Sequence, residues 1–282
     1  MNTPCDIPAL QLSERSFGLL RSLFEKETGI HLRGEKRHLV IGRLQRRLEQ
    51  RGLHDFESYC ALLQQPHETQ ERQHLIDALT THETYFFREP AHFQHLREQA
   101  LPNLETRPLR IWSAASSSGE EAYSLAMTLA DTLGPDGWEV FASDVSACSV
   151  WQAIQGLYPQ QRLDNMPKGY LKRFCRRGQG VYTGQMLIHA DLRARVNFFR
   201  HNLLADDNKL GEFAVVFLRN ALIYFDATRR GQIIGKVVRH LRPGGYLYLG
   251  QSESFSEPLT SLEYLGGSIY RRPSCPAIAR ST

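Results

Sequence analysis

The sequence contains no run of 18 or more apolar residues, no Cys-x-x-Cys pair and no cluster of metal-spaced ligands, and each absence removes a class of protein. Without a long apolar run, no membrane span is expected. The opening stretch, MNTPCDIPAL, lacks a basic region followed by an apolar one, so no secretory leader is expected. The five cysteines, Cys5, Cys60, Cys148, Cys175 and Cys275, are odd in number and scattered, which argues for a reducing cytoplasm and against a zinc site. The closest histidine pair, His92 and His95, does not make a metal-binding pattern, and no metal is expected. What remains is an ordinary soluble composition, 41% hydrophobic and 23% charged, with 282 residues for one large and one small domain or a decorated single domain. The net charge of +4 is mild, but its excess is local: Arg33, Lys36, Arg37, Arg43, Arg46, Arg47 and Arg51 face only Glu35 and Glu49 between positions 33 and 51.

The most informative stretch is LRIWSAASSSGEEAYSLAMTLAD, Leu109 to Asp131. Leu109, Ile111 and Trp112 have strand character, and Ser113 to Gly119 holds only Ser, Ala and Gly, which lets a ligand approach the backbone. Ala122, Leu125, Ala126 and Leu129 then recur at helical spacing, with Ser118 as an expected N-cap. This is the opening βα unit of a nucleotide-type α/β domain. A dinucleotide site would present glycines and a bare helix N-terminus to pyrophosphate. Here one glycine is followed by Glu120 and Glu121, which suits a ligand with positive charge near the turn, such as the ammonium and sulfonium of S-adenosylmethionine, or merely complements the helix dipole. Trp138 to Ala142 forms a second strand ending at Asp144, either a ribose ligand or the N-cap of the helix that follows.

Residues 11 to about 82 show no convincing strand. Stripes at Phe17/Leu20/Leu23/Phe24, Leu39/Val40/Leu44/Leu48 and Phe56/Tyr59/Leu62/Leu63, and a fourth beginning near Arg72, predict a small helical bundle. Its second helix carries the basic run, a solvated face or a docking surface for an acidic partner. TTHETYFFREP joins the two halves, and its spacing reads Arg88 as a cap on an aromatic core. From about Pro159 to Val196, glycines and the short runs GVYT and MLIHA predict an inserted hairpin or three-stranded flap, or an irregular βα connection. The rhythm resumes with VNFFRHNLL, FAVVFLRN, a helix capped by Asp226, the turn RPGG, the strand YLYLG and a last edge strand around Gly267 to Tyr270. In such sheets ligands sit at strand carboxyl ends, where Asp144, Asn202, Asn220 and the 113–119 loop fall.

Together, THETYFFRE, WSAASSSGEEAYSLAM, FASDVS, HNLL, FLRNALIYFD, LRPGGYLYLGQSES and the glycine-containing insertion resemble the chemotaxis receptor methyltransferases of the CheR family over nearly the whole chain. The resemblance implies a Rossmann-like S-adenosylmethionine-dependent methyltransferase domain at 109–282 with a small antiparallel β-subdomain inserted at about 168–197. An all-α domain at 1–82 and a linker with an active-site segment at 83–108 precede it. It implies methyl transfer to the γ-carboxylate of receptor glutamates, yielding S-adenosylhomocysteine. By position it places Thr84 and Arg88 at the methionine end of the cofactor and the active site. Glu120 and Glu121 become acidic contacts, Asp144 the ribose ligand, and Asn202 and Leu203 neighbours of the adenine. Arg219 and Asn220 close the pocket, and Tyr224 faces the methyl. His82, which stands where the family commonly has asparagine, and Ala114 and Ala221 complete the expected cofactor contacts. The basic helices are assigned to the receptor's acidic methylation region and the insertion to docking on receptors or a C-terminal receptor peptide. A cytoplasmic monomer is expected, with no nucleic-acid partner and no membrane insertion.

The chemistry agrees with this inventory, because a carboxylate at neutral pH is already a nucleophile and needs neither base nor metal. A nucleic-acid methyltransferase is the alternative within the fold; RNALIY lacks the proline-rich, aromatic-ended motif used on flipped bases. A non-catalytic adaptor is the alternative from another class. A nicotinamide dehydrogenase is disfavoured by the two glutamates.

Overall fold

The computed structural model describes residues 10–206, 208–253 and 261–274 and divides into two compact units, Met1–Thr81 and His82–Thr282. The first unit is helical: α1 (Glu14–Thr28), α2 (Arg37–Gln50), α3 (Phe56–Leu63) and α4 (Thr69–Leu79). Ser13 caps α1 by accepting from the Ser16 N–H, Asp55 does the same for α3, and Gly29 ends α1 at φ +75°. Leu20, Phe24, Val40, Leu44, Leu48, Phe56, Tyr59 and Leu75 form the buried stripes. Leu39, expected in the second stripe, is instead exposed.

The basic run is less one-sided than its sequence suggests. Arg43 Nη1 caps the C-terminal carbonyls of α4, reaching Leu79 O at 3.0 Å and Thr80 O at 2.9 Å. Arg47 grips Glu71 through Nε and Nη2 at 2.7 and 2.6 Å. Arg51 bonds Glu68 and Arg37 bonds Glu14. Arg33 also approaches Glu35 at 3.9 Å, and the two tightest commitments, those of Arg43 and Arg47, arise because a helix end and a buried carboxylate require donors.

The second unit opens with α5 (Pro90–His95), which continues as a π-turn through Ala100. An α/β sandwich follows: β1 (Leu109–Ala114), α6 (Glu120–Leu133), β2 (Trp138–Asp144) and α7 (Ala147–Gln155). Next come β3 (Leu157–Pro159), α8 (Tyr170–Phe174), β4 (Cys175–Arg177), β5 (Gln185–Ile188) and α9 (Ala190–Arg193), then β6 (Val196–Arg200), β7 (Phe213–Leu218), α10 (Ala227–His240), β8 (Leu241–Leu249), β9 (Glu263–Gly266) and β10 (Ile269–Arg271). The main sheet has the order β6-β2-β1-β7-β8-β10-β9, parallel except at β10 and β9. Every residue of β7 is buried, as expected of a strand covered on both faces.

The insertion is a three-stranded antiparallel sheet, β3-β5-β4. Only MLIHA matches an expected strand, as β5: GVYT is a 3₁₀ turn, and the strands on either side of β5 come from Leu157–Pro159 and Cys175–Arg177. Two further expectations shift locally. RPGG does not interrupt β8 but lies within it, and the terminal edge is a hairpin of two strands. Cys60, Cys148 and Cys175 are free thiols, while Cys5 and Cys275 lie outside the described residues. No helix among the described residues is long and apolar enough to cross a membrane.

Candidate cofactor and active site

Register brings the functional loops together. Ala114 at the end of β1 pairs with Ser143 of β2 and Leu218 of β7, Asp144 pairs with Arg200 of β6, and Leu218 pairs with Leu249 of β8. The segments leaving these strands therefore share the carboxyl edge of the sheet, where open α/β sheets bind ligands. Of six non-glycine residues with positive φ among those described, five flank this edge: Phe87, Glu89, Ala115, Ser117 and Asn220. Each such conformation costs about 1–3 kcal/mol, and surroundings that enforce it are characteristic of functional sites.

The loop Ala115–Gly119 turns sharply, with φ of +64° at Ala115, +50° at Ser117 and +95° at Gly119. Gly119, rather than the expected Ser118, occupies the N-cap of α6. Asp144 fixes the loop by accepting from Ser117 N at 2.8 Å and from Ser146 N at 2.9 Å. Burial pushes its carboxyl above the ordinary value against the pull of those two N–H groups. Asp144 is not the cap of α7; Ser146 is, accepting from Ser149 N at 3.1 Å.

The two expected acidic contacts part company. Glu120, fully buried, turns to Ser118 Oγ at 2.7 Å and to Arg162 Nη1 at 2.5 Å. Glu121 faces the strand ends, accepting from Ser113 Oγ at 2.7 Å and from Arg219 Nη1 at 3.1 Å. Burial pushes the Glu121 carboxyl up, and Arg219 offsets only part of that. Arg219, with a side chain 1% exposed, also pairs with Glu89 at 3.2 Å and donates to the carbonyl of Arg88. It thereby ties the 82–89 segment, α6 and the end of β7 to one guanidinium.

The remaining expected residues take the following places. His82 Nδ1 lies 3.0 Å from Ser149 Oγ, beside the start of α7. Thr84 is half-buried on the same segment, and Arg88 donates to Glu83 O at 2.8 Å with its guanidinium over the Tyr85 ring. Asn202 accepts from Leu204 N at 2.9 Å, a local turn that presents Leu203 after β6. Asn220, at φ +57°, donates its N–H to Glu253 at 2.9 Å, Ala221 is buried and Tyr224 half-buried beyond it.

Two carboxylates that organise the site escaped the sequence reading. Glu253 Oε2 accepts from Asn220 N and Gly250 N, and Oε1 from Leu222 N at 2.6 Å, so it pins the loops after β7 and β8 together. Glu89 bonds Arg219 and Asn220; burial pushing its pKa up is outweighed by Arg219 and Asn220, leaving it lowered. Glu89 stands directly before Pro90, a helix-start signal, and Glu253 follows the strand YLYLG at its carboxyl end, as Asp144 follows its own strand.

The arrangement fits S-adenosylmethionine. The loop is poor in side chains, and Ser116 Oγ, buried in it, has no hydrogen-bond partner among the described residues. Carboxylates stand at the ends of β2 and at the head of α6, where a ribose and a cationic amino-acid moiety call for acceptors. Strand order, loop and carboxylates together define a Rossmann-like S-adenosylmethionine-dependent methyltransferase. Residues 82–270 match the CheR methyltransferase SAM binding domain, and residues 15–80 match the CheR methyltransferase all-alpha domain. The chain belongs to the CheR methyltransferase family and is an enzyme of methylation in chemotaxis. It is 40% identical over 264 residues to the chemotaxis protein methyltransferase of Escherichia coli, covering 93% of this chain and 92% of that one. It is 39% identical over 262 residues to chemotaxis protein methyltransferase 2 of Pseudomonas aeruginosa, covering 92% and 93%. The Salmonella typhimurium relative is 39% identical over 264 residues, covering 93% and 91%.

Proposed function

We propose that this enzyme methylates the γ-carboxylate of glutamates in the cytoplasmic domains of chemoreceptors, forming glutamyl methyl esters. The observation that carries this reading is the side-chain-poor, left-handed loop Ala115–Gly119, flanked by Glu121 in the first turn of α6 and by Asp144 at the end of β2. The bound cofactor supplies an electrophilic sulfonium methyl. Asp144 accepts from its ribose, Glu121 faces its cationic amino-acid end, and Glu120 acts on the same loop. Ala114 leaves room at the end of β1, Asn202 and Leu203 border the adenine, and Arg219, Asn220 and Ala221 close the pocket. His82 and Thr84 contact the cofactor from the 82–89 segment. Arg88 orients the acceptor carboxylate, and Tyr224 faces the transferring methyl.

The acceptor is already ionised at neutral pH, so the task of these residues is to align its oxygen behind the methyl and exclude water, worth several kcal/mol of barrier. We infer further that Arg33 and Arg46, which stay exposed on the helical unit, meet the acidic methylation region of the receptor. The inserted sheet receives a C-terminal receptor peptide, and the enzyme works as a cytoplasmic monomer. The test incubates the protein with methyl-labelled cofactor and a receptor cytoplasmic fragment, then treats the product with mild base. Label released as methanol is expected; base-stable label would establish a different acceptor and overturn the reading.

A further inference from the structure

The inserted sheet reaches back into the loop that follows β1. Tyr158, the middle residue of β3 and 3% exposed, donates its hydroxyl to Ser118 O at 2.7 Å. Arg162, in the turn after β3, places Nη1 2.5 Å from Glu120 Oε1 and 3.3 Å from Ser118 Oγ. The Tyr158 ring stands edge-on to Phe86 of the 82–89 segment, centroids 5.0 Å apart. A Cβ built on Gly119 would lie 2.9 Å from the Tyr158 hydroxyl and 2.7 Å from Ala153 Cβ, so the loop meets β3 and α7 without slack.

The loop depends on such contacts because its left-handed residues persist only where the surroundings over-determine them. One flank is held by the main sheet, through Ser143 O to Ser116 N at 2.8 Å and through the Asp144 carboxylate. The other flank is held by the insertion. Without the Tyr158 hydroxyl and the Arg162 guanidinium, the Ser118 carbonyl would lose its donor and the fully buried Glu120 carboxylate its cation.

We infer that Tyr158 and Arg162 are positioning residues of the cofactor site: the inserted sheet holds loop 115–119 in its binding shape and so sets cofactor affinity, in addition to any role in docking. This rests on the placement of the cofactor at that loop. The β3 ladder continues through Tyr158–Met186 into β5, so the contacts reach from the loop into the middle strand of the insertion.

The test titrates S-adenosylhomocysteine into the full-length chain by calorimetry, with receptor-fragment kinetics alongside. Tyr158→Phe, which keeps the ring against Phe86, is expected to weaken binding roughly 3- to 10-fold, and Arg162→Gln about 10-fold or more. Arg162→Lys should recover part of the loss, and KM for the receptor fragment should stay within about twofold, a split that general destabilisation would not produce. Wild-type affinity in both Tyr158→Phe and Arg162→Gln, or a loss confined to the receptor KM, would overturn the inference. Failure of the wild-type chain to bind S-adenosylhomocysteine would sink the cofactor placement itself, and the inference with it.

Discussion

Glu71 in the helical unit and Glu121 in the methyltransferase unit are both carboxylates drawn beside an arginine, yet their pKa values are moved in opposite directions. Glu71, with a side chain 1% exposed, receives Arg47 Nε and Nη2, the Tyr59 hydroxyl at 3.0 Å and the approach of Arg51. Burial pushes its pKa up, but these partners more than offset it, and the carboxyl is held below its ordinary value. Glu121 has one serine hydroxyl and Nη1 of a guanidinium whose Nη2 serves Glu89, and burial prevails. A completed pair acts as a fastener; two carboxylates sharing one guanidinium are short of a cation, which suits the place we propose for Glu121 beside a cationic cofactor.

The contrast is broken most severely at Arg219. Arg219→Ala leaves Glu89 and Glu121 without their shared cation and should cost about 3–5 kcal/mol, read as a lower urea midpoint together with loss of cofactor binding. An unchanged midpoint would remove Arg219 as the hub. Arg47→Ala should cost about 3 kcal/mol in the same assay, whereas Arg47→Met with Glu71→Leu and Tyr59→Phe, which removes the hydroxyl that donates to Glu71, should regain most of it, because a fastener can be replaced by apolar packing. Apolar replacement of Arg219 and Glu121 together should leave turnover abolished even if stability returns.

Around the open pair the effects are kinetic. Arg88→Ala is expected to lower turnover about 100-fold while the protein stays folded, since a mis-set acceptor is costly and, among the described residues, its guanidinium makes a carbonyl bond and a ring contact. Full turnover would defeat that role. Tyr224→Phe should reduce kcat by about tenfold with a smaller change in cofactor affinity, by loss of one hydroxyl contact; equal losses would make Tyr224 a packing residue. The smallest expected effect is in acid. Glu71 has a lowered folded-state pKa, so its contribution is complete above the unfolded value of about 4.3 and is lost as pH falls through the folded value. Glu71→Gln should flatten the acid side of the stability curve, and an unaltered slope would exclude it as the titrating group.

Much of this was legible because local patterns agree with the fold. The stripe Val40/Leu44/Leu48, the cap Asp226 and the uninterrupted apolar strand FAVVFL each follow from spacing or turn chemistry. The small-residue loop after β1 was likewise readable from composition. The turn at GVYT was not, since three-residue strands and 3₁₀ turns share a pattern too short to separate them. The commitment of Arg43, Arg47 and Arg51 was hidden for another reason: their partners lie 17 to 37 positions away in sequence, beyond any periodic signal.

By itself, then, the chain order determined the helical unit, the parallel sheet and the small-residue loop after its first strand, because hydrophobic period and side-chain size act over a few residues. Only the tertiary structure decided that Glu120 turns to Arg162 while Glu121 turns to Arg219, and that Glu89 and Glu253 brace the strand ends. Adjacent glutamates are chemically alike in a sequence; the partners each finds are set by strand register and by an insertion that folds back on the loop, both of which depend on residues far away along the chain.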